Sequence, residues 1–347
     1  MNLSLRPISI NDWPAVAAGF RDLTFEQTLA YAAAAAARIG ARLEPVAVAG
    51  PDGRWLAAAA LRVKLVPGLG RGIAWAPSGP LILPQGGPDP DEKTLTALLS
   101  AFRQGIAGDG GHILRLRLAG TARRDPADFA SVAAAAGFSP VRHPRPYRSF
   151  ALDLGQSAAA LMAALNGKWR TDLRFALKSG LAVERGSGPA IAARFMAMFD
   201  GVQAAKGFAP DIPPSFHFPL SCPDYRVETL IVRKDGQDLA GIVVGTCAAS
   251  VTYLFGATTE AGRPLRAGYA LQWQAILAAQ AEGCLWYDLG GVDFDANPDV
   301  ARFKERMHGV PVMVEAFEAR PHGLVPALIA GTEVLRARLK RRQGGRA

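Results

Sequence analysis

Residues 253–309 read YLFGATTEAGRPLRAGYALQWQAILAAQAEGCLWYDLGGVDFDANPDVARFKERMHG, and their reading decides the fold. Tyr253 to Ala257 closes a short apolar strand, and a loop carrying Arg263 and Arg266 follows. From near Gly268, residues Tyr269, Trp273, Ile276 and Leu277 recur at i, i+4, i+7 and i+8, the spacing of one buried helical face. Gly283 stops that helix, and Cys284 to Leu289 is a compact apolar run suited to a buried strand. The run ends in Asp288-Leu289-Gly290-Gly291-Val292-Asp293, where two glycines free the backbone for a sharp turn or close approach to a ligand. Phe303-Lys304 falls on a further helical segment. The result is an α/β unit whose strand ends gather at one cleft.

The same plan occurs twice. Val227 to Val232 and Leu239 to Val244 flank Lys234-Asp235-Gly236 as a hairpin, ahead of the strand that ends at Phe255. Upstream, Pro45 to Ala49 and Trp55 to Leu65 flank Pro51-Asp52-Gly53 in the same way. A helix over 91–107 and a strand over 112–118 follow them. Thr24 with Gln27 three residues on reads as a capping box opening a helix through the alanine run to about Ile39. The proline-bearing stretch His143-Pro144-Arg145-Pro146 breaks both helix and strand. It places a first domain at 1–148 and a second at 149–330, with a basic tail at 331–347. A polar, proline-rich loop over 209–223 is expected to lack regular structure.

Composition limits the function classes. The chain has 347 residues, half of them hydrophobic and a fifth charged, so two packed globular domains are expected. No apolar run approaches the roughly 18 residues that span a membrane, and Asp12 and Pro14 interrupt the N-terminal stretch. Cys222, Cys247 and Cys284 are widely spaced among apolar residues, as reduced core thiols would be, and a cytoplasmic location is expected. Of the net charge of +9, the tail carries +5 through six basic residues and one acidic residue, Glu333. That tail could touch anionic headgroups or RNA phosphates, against the alternative of a solvated helix end.

The motif series Tyr253-Leu254-Phe255-Gly256-Ala257, Gly268-Tyr269-Ala270-Leu271-Gln272-Trp273, Tyr287-Asp288-Leu289-Gly290-Gly291 and Phe303-Lys304 resembles the Fem family of peptidyl aminoacyltransferases. The segment 161–183 resembles the same family through Lys168, Arg170, Arg174, Ala176, Lys178 and Gly180, and Lys206-Gly207-Phe208 through its element near the acceptor cleft. The resemblance implies two tandem GNAT-like acyltransferase domains, no cofactor, an aminoacyl-tRNA donor and an amine acceptor such as a peptidoglycan precursor or small peptide. It implies Lys304 and Asp288 as catalytic residues. It assigns Arg170, Arg174, Lys178, Lys206, Tyr253, Tyr269, Trp273, Gly290, Gly291 and Phe303 to substrate binding.

Independently of the family, Arg170, Arg174 and Lys178 share one helical face at spacing four. Their mutual repulsion, roughly 0.2–0.5 kcal/mol per pair, favours an anionic ligand or a solvated face relieved by Asp172. Direct attack by an amine requires no protein nucleophile. The chain has no G-x-S-x-G elbow and no His-x-x-x-His pair. Two features depart from the family: Ala35 stands where a lysine is expected to meet acceptor phosphates, and there is no charged coiled-coil arm. Two alternatives stay open. One is an acyl-CoA-dependent N-acyltransferase, for which Ala261 to Gly268 is a weak pyrophosphate loop. The other is a non-catalytic RNA- or envelope-binding module.

Overall fold

A computed structural model describes residues 3–122, 125–141, 145–206, 210–323, 327, 329 and 331. Two compact units account for it: Met1–Pro146 with Val314–Ala347, and Tyr147–Met313.

In the first unit, β1 (Leu5–Pro7), α1 (Trp13–Ala18) and α2 (Leu29–Arg38) precede an antiparallel run of β2 (Arg42–Ala49), β3 (Trp55–Leu65) and β4 (Gly72–Pro77). Ala57 to Ala60 of β3 are all fully buried, because their small side chains let both faces of the strand be covered closely. The helix α3 (Glu92–Phe102) then crosses to β5 (Ile113–Arg117), which lies parallel to β4. Asp91 caps α3 by accepting from the Thr94 N–H at 2.7 Å. Leu95, Leu98, Leu99 and Phe102 form its buried stripe. A π-helical segment, Arg103–Asp109, replaces the last turns expected of this helix. Next come α4 (Pro126–Ala135) and the short β6 (Ser139–Pro140).

The expected capping box is not there. Phe25–Gln27 is a single 3₁₀ turn, and α2 starts only after Thr28. Gln27 is fully buried and its amide is used elsewhere: Nε2 donates to the Pro77 carbonyl at 2.6 Å, and Oε1 accepts from the Ala60 N–H at 2.8 Å. A buried amide that ties two strands together outweighs a local cap, and the Thr24 hydroxyl is left buried without a partner.

The second unit repeats the plan. It contains β7 (Tyr147–Asp153), α5 (Ala158–Ala164), α6 (Gly167–Leu177), β8 (Ala182–Gly186), α7 (Pro189–Lys206) and α8 (Pro214–His217). After these come β9 (Arg226–Lys234), β10 (Gln237–Cys247), β11 (Ser250–Thr258), α9 (Ala267–Ala281), β12 (Trp286–Asp288), α10 (Pro298–Glu305) and β13 (Val310–Val314). The sheet order is β13-β7-β12-β11-β10-β9-β8. The loop expected over 209–223 holds the one-turn α8 and a 3₁₀ turn at Phe218–Leu220; Pro214 suits the first helical position, where its missing N–H costs nothing. Cys222, Cys247 and Cys284 are free thiols.

Both units therefore run hairpin, strand, helix, parallel strand, and the fold is two GNAT-like units in tandem. The pairing of β11 with β12 is short: Ser250, Val251 and Thr252 face Trp286, Tyr287 and Asp288, while β11 continues to Thr258. Past Thr252 the two strands part and leave an opening between their ends.

The end of the chain departs from the expected domain limits. The strand β14 (Phe317–Ala319) does not stay with the second unit but enters the first sheet between β5 and β6. Phe317 packs edge-on to Phe129 at 5.4 Å. Glu318, nearly fully buried, accepts from Arg115 Nε and Nη2 at 3.2 and 2.8 Å and from Arg320 Nε at 2.7 Å. The apolar neighbours of Phe317 and the half-buried guanidinium of Arg115 explain why the strand returns. The expected basic tail lies outside the described residues, apart from residue 331.

Candidate active site

The site grows from an irregularity in β11. Val243 of β10 faces Phe255 and Val244 faces Tyr253, so Leu254 is an extra residue in the ladder. Such a bulge re-aims the side chains beside it. Here it lays the Tyr253 ring across Gly256, where an added Cβ would stand 2.1 Å from the phenol oxygen. On the far side of the opening, Gly290 adopts φ +71°, and a Cβ there would be 2.2 Å from the Tyr253 carbonyl oxygen. Only glycine permits both the turn and this approach.

Asp288 holds the glycine turn closed. Its Oδ1 accepts from the Gly290 N–H at 2.8 Å and closely from the Ser149 hydroxyl, and both oxygens are 3.2 Å from the Tyr147 hydroxyl. Burial raises the Asp288 pKa, against the pull of these donors and of Lys304. Oδ1 is thus engaged within the chain, while Oδ2 shares the Tyr147 hydroxyl.

Lys304 is 6% exposed, on the buried side of α10. Its Nζ donates to the Gly291 carbonyl at 2.9 Å and lies 5.0 Å from the centre of the Tyr253 ring. Burial lowers its pKa to about 8, and the nearby Asp288 charge opposes that shift. Behind them the Tyr287 hydroxyl donates to Gln272 Oε1 at 2.9 Å, and Gln272 also bonds the Tyr253 phenol. Burial pushes Tyr253 up to about 12, so it stays protonated at neutral pH.

A cavity of about 430 Å³ opens on the other side of Tyr253 and Gln272. Its floor is Gly256, Ala257 and Thr258 of the parted strand; its wall is the loop Gly262 to Arg266 and the start of α9. Lys168 and Asp172 of α6, Asp299, Val300 and Phe303 of α10, Val202 of α7 and Gly241 and Ile242 of β10 also line it. Trp169, Tyr269 and Phe303 pack with centroids 4.9, 5.6 and 5.0 Å apart, fixing α6, α9 and α10 around it. Lys168, Arg263 and Arg266 against Asp172 and Asp299 leave the lining one positive charge in excess. Arg266, at φ +56°, is held by Asp172 Oδ1 at 2.9 Å.

The expected site residues separate into three groups. Lys304, Asp288, Tyr253, Gly290 and Gly291 come together, and Tyr269 and Phe303 line the adjoining cavity. Trp273 is a core residue, 6% exposed. Of the basic face, Arg170 donates to the Ala163 and Leu165 carbonyls at 2.7 and 3.5 Å and so finishes α5. Arg174 and Lys178 are exposed and line no described cavity. The Lys206 side chain lies outside the described residues. Tyr147, Ser149 and Gln272 were not expected. The first two alternate on one face of β7, a period-two signal, and both hydroxyls meet Asp288.

Among the described residues no group of side chains could hold a metal ion, and no helix is long and apolar enough to cross a membrane.

Residues 227–318 match the model of the FemAB family. A crystal structure of FemX is similar over 94% of this chain and 99% of its own, with TM-score 0.74 and 17% identity. A conserved protein of unknown function from Bacteroides thetaiotaomicron is similar over 90% and 98%, with TM-score 0.55 and 10% identity. The C-terminal domain of a putative lysylphosphatidylglycerol synthetase from Agrobacterium fabrum is similar over 94% and 97%, with TM-score 0.51 and 15% identity. A comparison with curated proteins found no match.

Proposed function

We propose, on the premise that the chain is a Fem family protein and an acyltransferase, that it transfers an aminoacyl group from aminoacyl-tRNA to an amine acceptor. A peptidoglycan precursor or a small peptide has the acceptor chemistry the reading calls for. The observation that carries the reading is the meeting of three features: the parted ends of β11 and β12, the cavity beside Tyr253, and the buried Lys304 at the glycine turn.

In this reaction the neutral amine attacks the ester carbonyl, an amide bond forms, and the ester bond breaks with the ribose hydroxyl as leaving group. The amine's surplus proton goes to that hydroxyl or to solvent. The chain's part is positional and electrostatic. Lys304 supplies a positive charge in a water-poor setting, where it weighs more than on the surface. Asp288 acts as a positioning residue, since its oxygens hold the turn that presents Gly290 and Gly291. The net positive lining of the cavity suits the phosphate next to the terminal ribose of a charged tRNA. A cytoplasmic setting follows from such a donor.

The test is a donor comparison by mass spectrometry. Purified protein is incubated with candidate amine acceptors and either charged total tRNA or a mixture of acyl-CoA thioesters. New amide products that require charged tRNA and disappear in Lys304→Ala support the reading; products that require acyl-CoA replace it.

A further inference from the structure

We infer, resting on the transferase reading, that Tyr253 is a catalytic residue whose phenol gives the departing ribose oxygen its proton. Gln272 and Tyr287 are positioning residues that keep this O–H turned to the cavity.

The chain of bonds starts in the core. Tyr287 is fully buried, and burial holds its phenol well above the usual value, so the hydroxyl keeps its proton and donates to Gln272 Oε1 at 2.9 Å. Gln272 is itself 2% exposed, and with its oxygen taken, its amide nitrogen is the end left for Tyr253. The bond from Gln272 pulls the Tyr253 pKa down against the upward push of burial, as an N–H given to the phenol oxygen does. The Tyr253 oxygen therefore already accepts, and among the described residues nothing accepts its proton. Tyr253 lines the cavity beside Gln272, with its hydroxyl over Gly256 of the floor. That O–H has the cavity to point into.

The other polar groups here are less suited to the task. Tyr269 is bonded to Asp172, and Arg266 is held by the same carboxylate. Thr258 offers an aliphatic hydroxyl, no more acidic than the ribose it would have to protonate. The Lys304 ammonium donates to the Gly291 carbonyl and meets the face of the Tyr253 ring.

As the amine nitrogen bonds the carbonyl carbon, the ester C–O bond breaks and its electron pair stays on the ribose oxygen. The Tyr253 proton passes to that oxygen. The phenolate then takes the amine's surplus proton, which restores the phenol. A phenol pushed up to about 12 holds its proton at neutral pH, yet is acidic enough to protonate a ribose alkoxide.

The test is steady-state transfer from charged total tRNA, with a soluble peptidoglycan precursor and the tripeptide Ala-Lys-Ala as acceptors. Tyr253→Phe should lower kcat at least about a hundredfold, with KM for charged tRNA and Tm close to the wild type. Gln272→Glu, whose carboxylate draws in both phenol protons, should lower kcat in the same way. Tyr287→Phe, which lets the amide turn, should also slow the wild type. Neither should slow Tyr253→Phe any further, a coupling that a merely structural role does not produce. A Tyr253→Phe variant as active as the wild type overturns the role of Tyr253 alone, as do losses that multiply in the double variants. A wild type that transfers nothing from charged tRNA overturns the transferase reading and this role with it. Should Tyr253→Phe fail to fold, Gln272→Glu serves: a fall in kcat at constant KM supports the role, and an unchanged kcat overturns it.

Discussion

The ammonium of Lys304 sits 5.0 Å from the centre of the Tyr253 ring while its proton is given to the Gly291 carbonyl. One buried cation is thereby fastened to both sides of the opening: to β11 through the aromatic face and to the glycine turn after β12 through a hydrogen bond. Asp288 lies near enough to favour its charge, and burial disfavours it more strongly.

Lys304→Met is expected to abolish transfer without unfolding the protein. In the wild type, transfer should fall as pH rises through about 8, where Lys304 loses its proton. The stability effect has the opposite slope. Between about 8 and the usual lysine value of 10.5 the unfolded chain binds more protons than the folded one, so Lys304 destabilises fully below 8 and progressively less above it. Urea denaturation should show Lys304→Met gaining on the wild type at pH 7, with the gap closing towards pH 10. A constant gap across that range would refute a depressed lysine.

Gly290→Ala places a methyl group 2.2 Å from the Tyr253 carbonyl oxygen at φ +71°. The backbone conformation alone costs roughly 1–3 kcal/mol, and the overlap forces the turn away from β11. Chemical denaturation should report a loss of at least that size, with transfer gone even where the variant folds.

Gly256→Ala tests the bulge. Its methyl group would meet the Tyr253 hydroxyl at 2.1 Å and the ring carbon bearing it at 3.0 Å. The second substitution Tyr253→Phe removes the worst contact. The double variant should be more stable than Gly256→Ala alone, a coupling that a double-mutant cycle reads directly. Additive effects would mean that the ring does not lie across Gly256.

Glu318→Ala leaves Arg115 facing a buried gap. Breaking a buried pair by removing one partner costs about 3–5 kcal/mol, so the first unit should unfold markedly earlier. Glu318→Gln should lose less, since the amide oxygen can still accept from Arg115.

The parts of this fold that are short-range in sequence were legible. Both hairpins, the helix from Ala267 and the glycine turn follow from local periodicity and turn chemistry, and their motifs drew Lys304, Asp288 and Tyr253 together. What escaped was set at a distance. The Gln27 amide looks like a local cap until β3 and β4 offer it two buried backbone groups. Arg170 looks like part of a ligand face until the end of α5 presents carbonyls to it. The bulge at Leu254, which decides where the Tyr253 ring lies, has no signature in the residues themselves. Nor does a three-residue strand announce which of two sheets it will join.

That last strand has a consequence for how the protein is made. The Arg115–Glu318 contact joins residues 203 positions apart, so the first sheet waits on almost the whole of the second unit before it can be finished. At the usual 5–20 residues per second of synthesis the delay is on the order of 10–40 s. During that time β5 leaves the ribosome with an unpaired edge, open to misplaced strands. The first half of the chain is thus translated first and completed last, and the nascent protein depends on an unclosed edge remaining unoccupied until its own C-terminal segment arrives.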